Sequence, residues 1–342
     1  NQRDHSQIGQ MDAEVEGERR DATGLGAPAA GKPLLPKGGD ACRGVRGHRR
    51  ETGRMIVDFH THVFPPGIKA DRTAYLERDA GFRLLYQNPR SRLATADDLL
   101  AGMNAAGIDL SVMLGFGWSD QALCIEHNDY LRVAASQHPD RLINFGTVQP
   151  LAAGAAASVR RLAMEQPPVR GLGELRPEEQ GYGFDEQDWV SLEPVAQVAK
   201  ELDLPMLFHA SEPVGHRYAG KGRLVPERLL ELIQAFPDQK LVLAHLGGLL
   251  PFYAAMSEVR AVLAHTWVDT AAWPLLYSRE VLPALASVFG VERVLFGSDF
   301  PLLSQQLVLE QTRASGLTLP QLDRVLGDNA VELLGIGRGR LE

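Results

Sequence analysis

Met55-Ile56-Val57-Asp58-Phe59-His60-Thr61-His62 reads as a short buried strand that closes on two histidines. Strand side chains alternate with period two, so His60 and His62 share one side and can grip a single ion. A lone His-x-His carries little weight. Here three further runs end in the same manner: Pro205-Met206-Leu207-Phe208-His209, Leu241-Val242-Leu243-Ala244-His245 and Val294-Leu295-Phe296-Gly297-Ser298-Asp299. Each is a stretch of strand-forming residues closed by a side chain that ligates metal or moves a proton.

Working outward, strand-like runs alternate with helix-like ones from Met55 onward. Strands are predicted near 55–59, 109–115, 142–147, 169–174, 205–209, 240–245, 266–270 and 293–298. Continuous apolar runs of this length suit parallel strands buried on both faces. Thr95-Ala96-Asp97-Asp98 predicts a capped helix start, with Leu99, Met103 and Ala106 on one face. Leu229, Leu232, Ile233 and Phe236 form a similar stripe that Pro237-Asp238 stops, and Asp328-Asn329 are read as the cap of a last helix ending at Gly335. Eight strands alternating with helices over about 280 residues is the size of a (β/α)8, TIM-type barrel. A doubly wound sheet would place a Gly-rich loop after its first strand, where this chain has His-Thr-His. The expected fold class is therefore α/β, a barrel over residues 55–342.

The first 54 residues differ in kind. They contain no Phe, Trp or Tyr, so they cannot bury enough apolar surface to offset their ordering entropy. Residues 1–54 are expected to be a disordered or artefactual extension, and its His5 and His48 carry no weight. In the whole chain of 342 residues, 44% hydrophobic and 23% charged residues suit a full globular core. A net charge of −8 argues against nucleic acid or an anionic membrane as partner. No run approaches a membrane span. Cys42 and Cys124 form no Cys-x-x-Cys pair, which leaves neither a disulfide framework nor a structural zinc site. A cytoplasmic setting is the default expectation.

His60, His62, His209 and Asp299 at the strand ends offer three imidazoles and a carboxylate on one rim. That set suits Zn²⁺, with Mn²⁺ and Fe²⁺ acceptable. Such an ion brings the pKa of bound water towards neutrality. His245 is expected beside it as general base or oxyanion partner, and Asp299 as both ligand and proton acceptor. Glu174, in Gly171-Leu172-Gly173-Glu174-Leu175, can bridge a second ion that His209 and His245 would share. Equally, it can pair with Arg176 or support a ligating histidine. Arg176 and Gln180 are candidates for an anionic group, His216, Tyr218 and Lys221 for substrate contacts over the pocket mouth. Trp273 is read as pocket wall or core. His127, within a helical stretch, His138, before Pro139, and His265, ahead of the seventh strand, are set aside.

The order His-x-His after the first strand, His after the fifth and sixth, and Asp after the eighth resembles the amidohydrolase superfamily. Gly171-Leu172-Gly173-Glu174-Leu175, Ala244-His245-Leu246-Gly247-Gly248, Gly297-Ser298-Asp299-Phe300-Pro301 and Gly327-Asp328-Asn329-Ala330 are similar to its amidohydrolase-related branch. That branch includes aminocarboxymuconate semialdehyde decarboxylase and metal-dependent hydrolases. The resemblance covers residues 55 to about 337. It implies one divalent metal on His60, His62, His209 and Asp299, with His245 as catalytic partner. No lysine closes the fourth strand, so a carbamylated-lysine centre is not implied. Decarboxylases of the group often hold carboxylates with arginines after the first strand. Arg72, Arg78, Arg83, Arg90 and Arg92 stand there, scattered among Asp71, Glu77 and Asp79, with no evident pair. The reading is therefore a hydrolase using metal-activated water on a small carboxylated or carbonyl-containing metabolite. Non-oxidative decarboxylation is the alternative. A catalytically silent barrel used as a binding module is the rival of another class, disfavoured by five intact chemical residues. The expected partner is a small molecule, and a homo-oligomer is compatible with it.

Overall fold

In the computed structural model, residues 54–184 and 189–336 are described; residues 1–53, with His5 and His48, lie outside them. Eight parallel strands follow in chain order: β1 Val57–His62, β2 Leu110–Leu114, β3 Leu142–Asn144, β4 Leu172–Leu175, β5 Met206–Phe208, β6 Leu241–Leu243, β7 Thr266–Asp269 and β8 Val294–Leu295. Two ladders, β1-β2-β3 and β4 to β8, close on each other through bridges Gly146↔Leu172 and Thr61↔Phe300. Backbone bonds reinforce both joins. Phe59 N–H donates to Phe296 O at 2.7 Å, and Glu174 N–H donates to Gly115 O at 2.7 Å.

The strands distribute their side chains between two clusters, as period-two alternation requires. Met113, Met206, Phe208, Leu241, Leu243 and Val294 pack with helix residues such as Leu229, Leu232 and Ile233. Val112, Leu114, Leu207, Val242 and Leu295 join Val57, Phe59 and Phe145 inside the ring, with Leu333 and Leu334 near the chain's end and Ile336 just after them. Both strand faces are thus apolar, which is why the sequence runs read as unbroken hydrophobic stretches.

The capping box at Thr95–Asp98 forms as expected and starts the helix Ala96–Ala106. The last helix, Asn329–Leu334, ends on left-handed Gly335. Its cap differs from the expectation. Asp328 has helical φ −56° and ψ −41°, because the turn Arg324–Asp328 runs straight into the helix and leaves no free N-terminus to cap. β8 is also shorter than predicted, since Phe296-Gly297-Ser298 bends away toward Asp299, which sits at φ 63°.

Candidate metal centre

The site begins with a fault in β1. The β1–β2 register slips between Asp58 and Thr61. Asp58 turns outward and accepts from Gln305 Nε2 at 2.7 Å and Ser298 Oγ at 2.6 Å. His60 and His62 then both face the ring opening, with their Nε2 atoms 3.0 Å apart. Gly297 makes the approach feasible, because a Cβ there would lie 2.8 Å from His60 Cβ.

Asp299 Oδ1 lies 3.7 Å from Nε2 of both histidines. A point equidistant from corners spaced 3.0, 3.7 and 3.7 Å is about 2 Å from each, a normal bond length for a divalent transition ion. Glu174 Oε2 adds a fourth donor 3.7 Å from His62 Nε2. The other Glu174 oxygen faces His209 Nδ1 at 2.8 Å and His245 Nε2 at 3.8 Å. Two donor groups therefore share Glu174: His60, His62 and Glu174 on one side, Glu174, His209 and His245 on the other. His209 stands across Glu174 from the His60–His62 pair, its Nε2 donating to Gly220 O at 2.8 Å.

Charge is concentrated here among buried side chains. Burial opposes a proton on His60, yet Asp269 at 2.7 Å, with Asp299 and Glu174, raises the ring to about 10. Burial and the neighbouring His60 push His62 down to about 4. Glu174 would be raised by burial, but His209 and Arg176 hold it well below the usual carboxylate range. Burial and His209 lower His245. A cluster that favours positive charge on one imidazole, beside an imidazole whose Nδ1 has no partner among the described residues, suits a cation. The imidazole and carboxylate donors fit Zn²⁺ or Mn²⁺.

Other predicted residues fall as follows. Arg176 is buried, with NH2 on Glu179 at 2.7 Å, NH1 3.5 Å from Glu174, and Nε without a partner among the described residues. Gln180 is spent on the backbone of Arg176, Trp118 and Val148 and has nothing left for an anion. Tyr218 OH and Lys221 Nζ both turn to Glu212, at 2.9 and 3.0 Å, and brace their own loop; His216 is exposed beside Tyr218. Trp273 is core, 1% exposed, with Nε1 donating to Thr312 Oγ1. His127 is a buried structural histidine under Trp118 and Phe64. Sequence reasoning missed Asp269, which closes β7. The signal was the one used for Asp299, an acid at the end of a buried strand.

With this geometry in view, comparison with known proteins is direct. The amidohydrolase family profile matches residues 57–336, the whole barrel. The chain belongs to the amidohydrolase family. A curated relative, 2-amino-3-carboxymuconate-6-semialdehyde decarboxylase of Dictyostelium discoideum, is 22% identical over 82% of this chain and 92% of its own. The 5-carboxyvanillate decarboxylase of Sphingomonas paucimobilis superposes with a TM-score of 0.68 at 18% identity, covering 83% and 99% of the two chains. That of Novosphingobium aromaticivorans, solved with manganese and a nitrobenzoic acid, gives 0.69 at 19% identity, covering 84% and 98%. The barrel of this amidohydrolase thus shares its fold with these structures. Among the described residues no helix is long and apolar enough to cross a membrane.

Proposed function

We propose that this amidohydrolase is a metal-dependent, non-oxidative decarboxylase of a small aromatic or otherwise unsaturated carboxylate. The observation that carries the reading is Arg176, a guanidinium 3% exposed and 3.5 Å from the donor Glu174. The expectation of hydrolysis rests on the lack of an evident arginine pair after β1. Arg72 there is indeed spent on the carbonyls of Tyr86, Asn88 and Ser91, and Arg78 reaches Asp120 and Glu126. The cation offered instead is Arg176 at the end of β4, whose buried Nε–H has no partner among the described residues. Support also comes from the relatives, whose names are those of decarboxylases.

His60, His62 and Asp299 would hold one ion, zinc or manganese, with Glu174 as the further oxygen. When bound, that ion supplies a Lewis acid for the charge left as CO₂ departs. Arg176 holds the carboxylate. His245, whose Nδ1 donates to Ala271 O at 3.0 Å, keeps its Nε2 lone pair for the site. Burial favours the neutral ring, so His245 takes a substrate proton at Nε2 and returns it to the carbon that loses CO₂.

The test is isotopic. Metal-loaded protein, given a panel that includes 5-carboxyvanillate in D₂O, should release CO₂ and place one deuterium on the product carbon. Oxygen-18 from labelled water in the organic product would establish hydrolysis. No turnover across the panel, with metal bound, would favour the silent-barrel reading.

A further inference from the structure

The end of β7 bears on both histidine pairs although it offers no atom to the ion. Asp269 is fully buried. Its Oδ2 accepts from His60 Nδ1 at 2.7 Å. Its Oδ1 accepts from the backbone N–H of His245 and of Ala271, each at 3.0 Å. Ala271 O then accepts from His245 Nδ1 at 3.0 Å. Neither a carboxylate nor a carbonyl can donate here, so each ring must carry its proton on Nδ1. Both Nε2 atoms are left aimed at the cluster, the positions from which an ion would take a lone pair.

We infer that Asp269 is a positioning residue that sets the tautomer of the ligand His60 and, through Ala271, of the proton-carrying His245. This rests on the metal reading above, but not on which reaction follows. The backbone supports a shared hold. His245 and Ala272 both have positive φ, 55° and 53°, and the Asp269 bonds pin the two turns to each other across the top of β6 and β7. Partners of this kind fix ring orientation and raise ligand basicity, and losing one typically costs about 10- to 100-fold in metal affinity.

Asp269→Asn is nearly isosteric and tests the idea sharply. Its amide oxygen can still accept from His245 N–H and Ala271 N–H. Its NH₂ would face His60 Nδ1, which must then accept, and the ring proton moves to Nε2, the ligand atom. Zinc affinity by competitive chelator titration should fall about 10-fold or more. Asp269→Glu, which keeps the acceptor, should recover part of it. Zinc binding unchanged in Asp269→Asn would overturn the proposal.

A second measurement needs no variant. In ¹⁵N-histidine-labelled wild-type protein, His60 with zinc bound and His245 with or without it should both show Nδ1 protonated and Nε2 bare. Either ring found with its proton on Nε2 overturns the assignment. If wild type takes up no zinc, the metal reading fails, and the His245 tautomer still decides this one.

Discussion

At the scale of single residues, Glu174 decides how many ions the centre holds. Its two oxygens face different histidine pairs, so the geometry accommodates one ion or two. With one ion on His60, His62 and Asp299, Glu174→Gln should leave metal content near one equivalent by elemental analysis, while His60→Ala with His62→Ala abolishes it. His245→Ala should keep that metal and lose activity about 10²-fold or more. Two equivalents in wild type, falling to one in both Glu174→Gln and His245→Ala, would establish the bridged pair. His127 supports a prediction of another kind. Its Nε2 donates to Val63 O at 2.8 Å, its Nδ1 accepts from Trp118 Nε1 at 3.1 Å, and burial pushes the ring down to about 4. The folded ring binds a proton less tightly than the unfolded one at 6.5. Stability from this group is therefore complete above pH 6.5 and is lost as pH falls toward 4, on the order of 3 kcal/mol in all. Urea unfolding at stepped pH should show that slope in wild type and lack it in His127→Gln.

At the scale of elements, the strands and their closing residues were legible because a buried parallel strand leaves an unbroken apolar run. The ends were less so. The slip in β1 that turns Asp58 out and His60 in follows from backbone pairing, which residue type does not announce. Asp269 depends on which side chains meet across distant strands, and Lys221 on how its own loop folds back onto Glu212; spacing along the chain is silent on both. After β6, the residues 245–249 all have positive φ, from 55° to 73°. Such a left-handed run costs about 1–2 kcal/mol per non-glycine residue and persists only when its surroundings enforce it. The enforcing contact is at Gly248, where a Cβ would lie 2.2 Å from Ser211 O; at Gly247 the nearest atom is 3.2 Å away. Gly248→Ala should therefore lower the melting temperature clearly more than Gly247→Ala, a gap worth about 1 kcal/mol or more. Equal shifts would mean that the Ser211 backbone gives way freely.

At the scale of the whole molecule, the barrel over 57–336 accounts for the family match without residues 1–53. Their composition has no aromatic residue to anchor a core, so deleting them should move the melting temperature by less than about 2 °C. A large drop would show that the extension packs on the barrel. The closing seam has one more consequence. His60 and Asp299, 3.7 Å apart, come from opposite ends of the barrel sequence, on either side of the join Thr61↔Phe300. A chain emerging from the ribosome displays His60 and His62 long before Asp299, the carboxylate that completes the triangle, exists. If His60, His62 and Asp299 hold the ion as proposed, the full donor set exists only in the finished polypeptide. A prematurely terminated chain presents loose imidazoles to the cell's metal pool, but never the assembled trap.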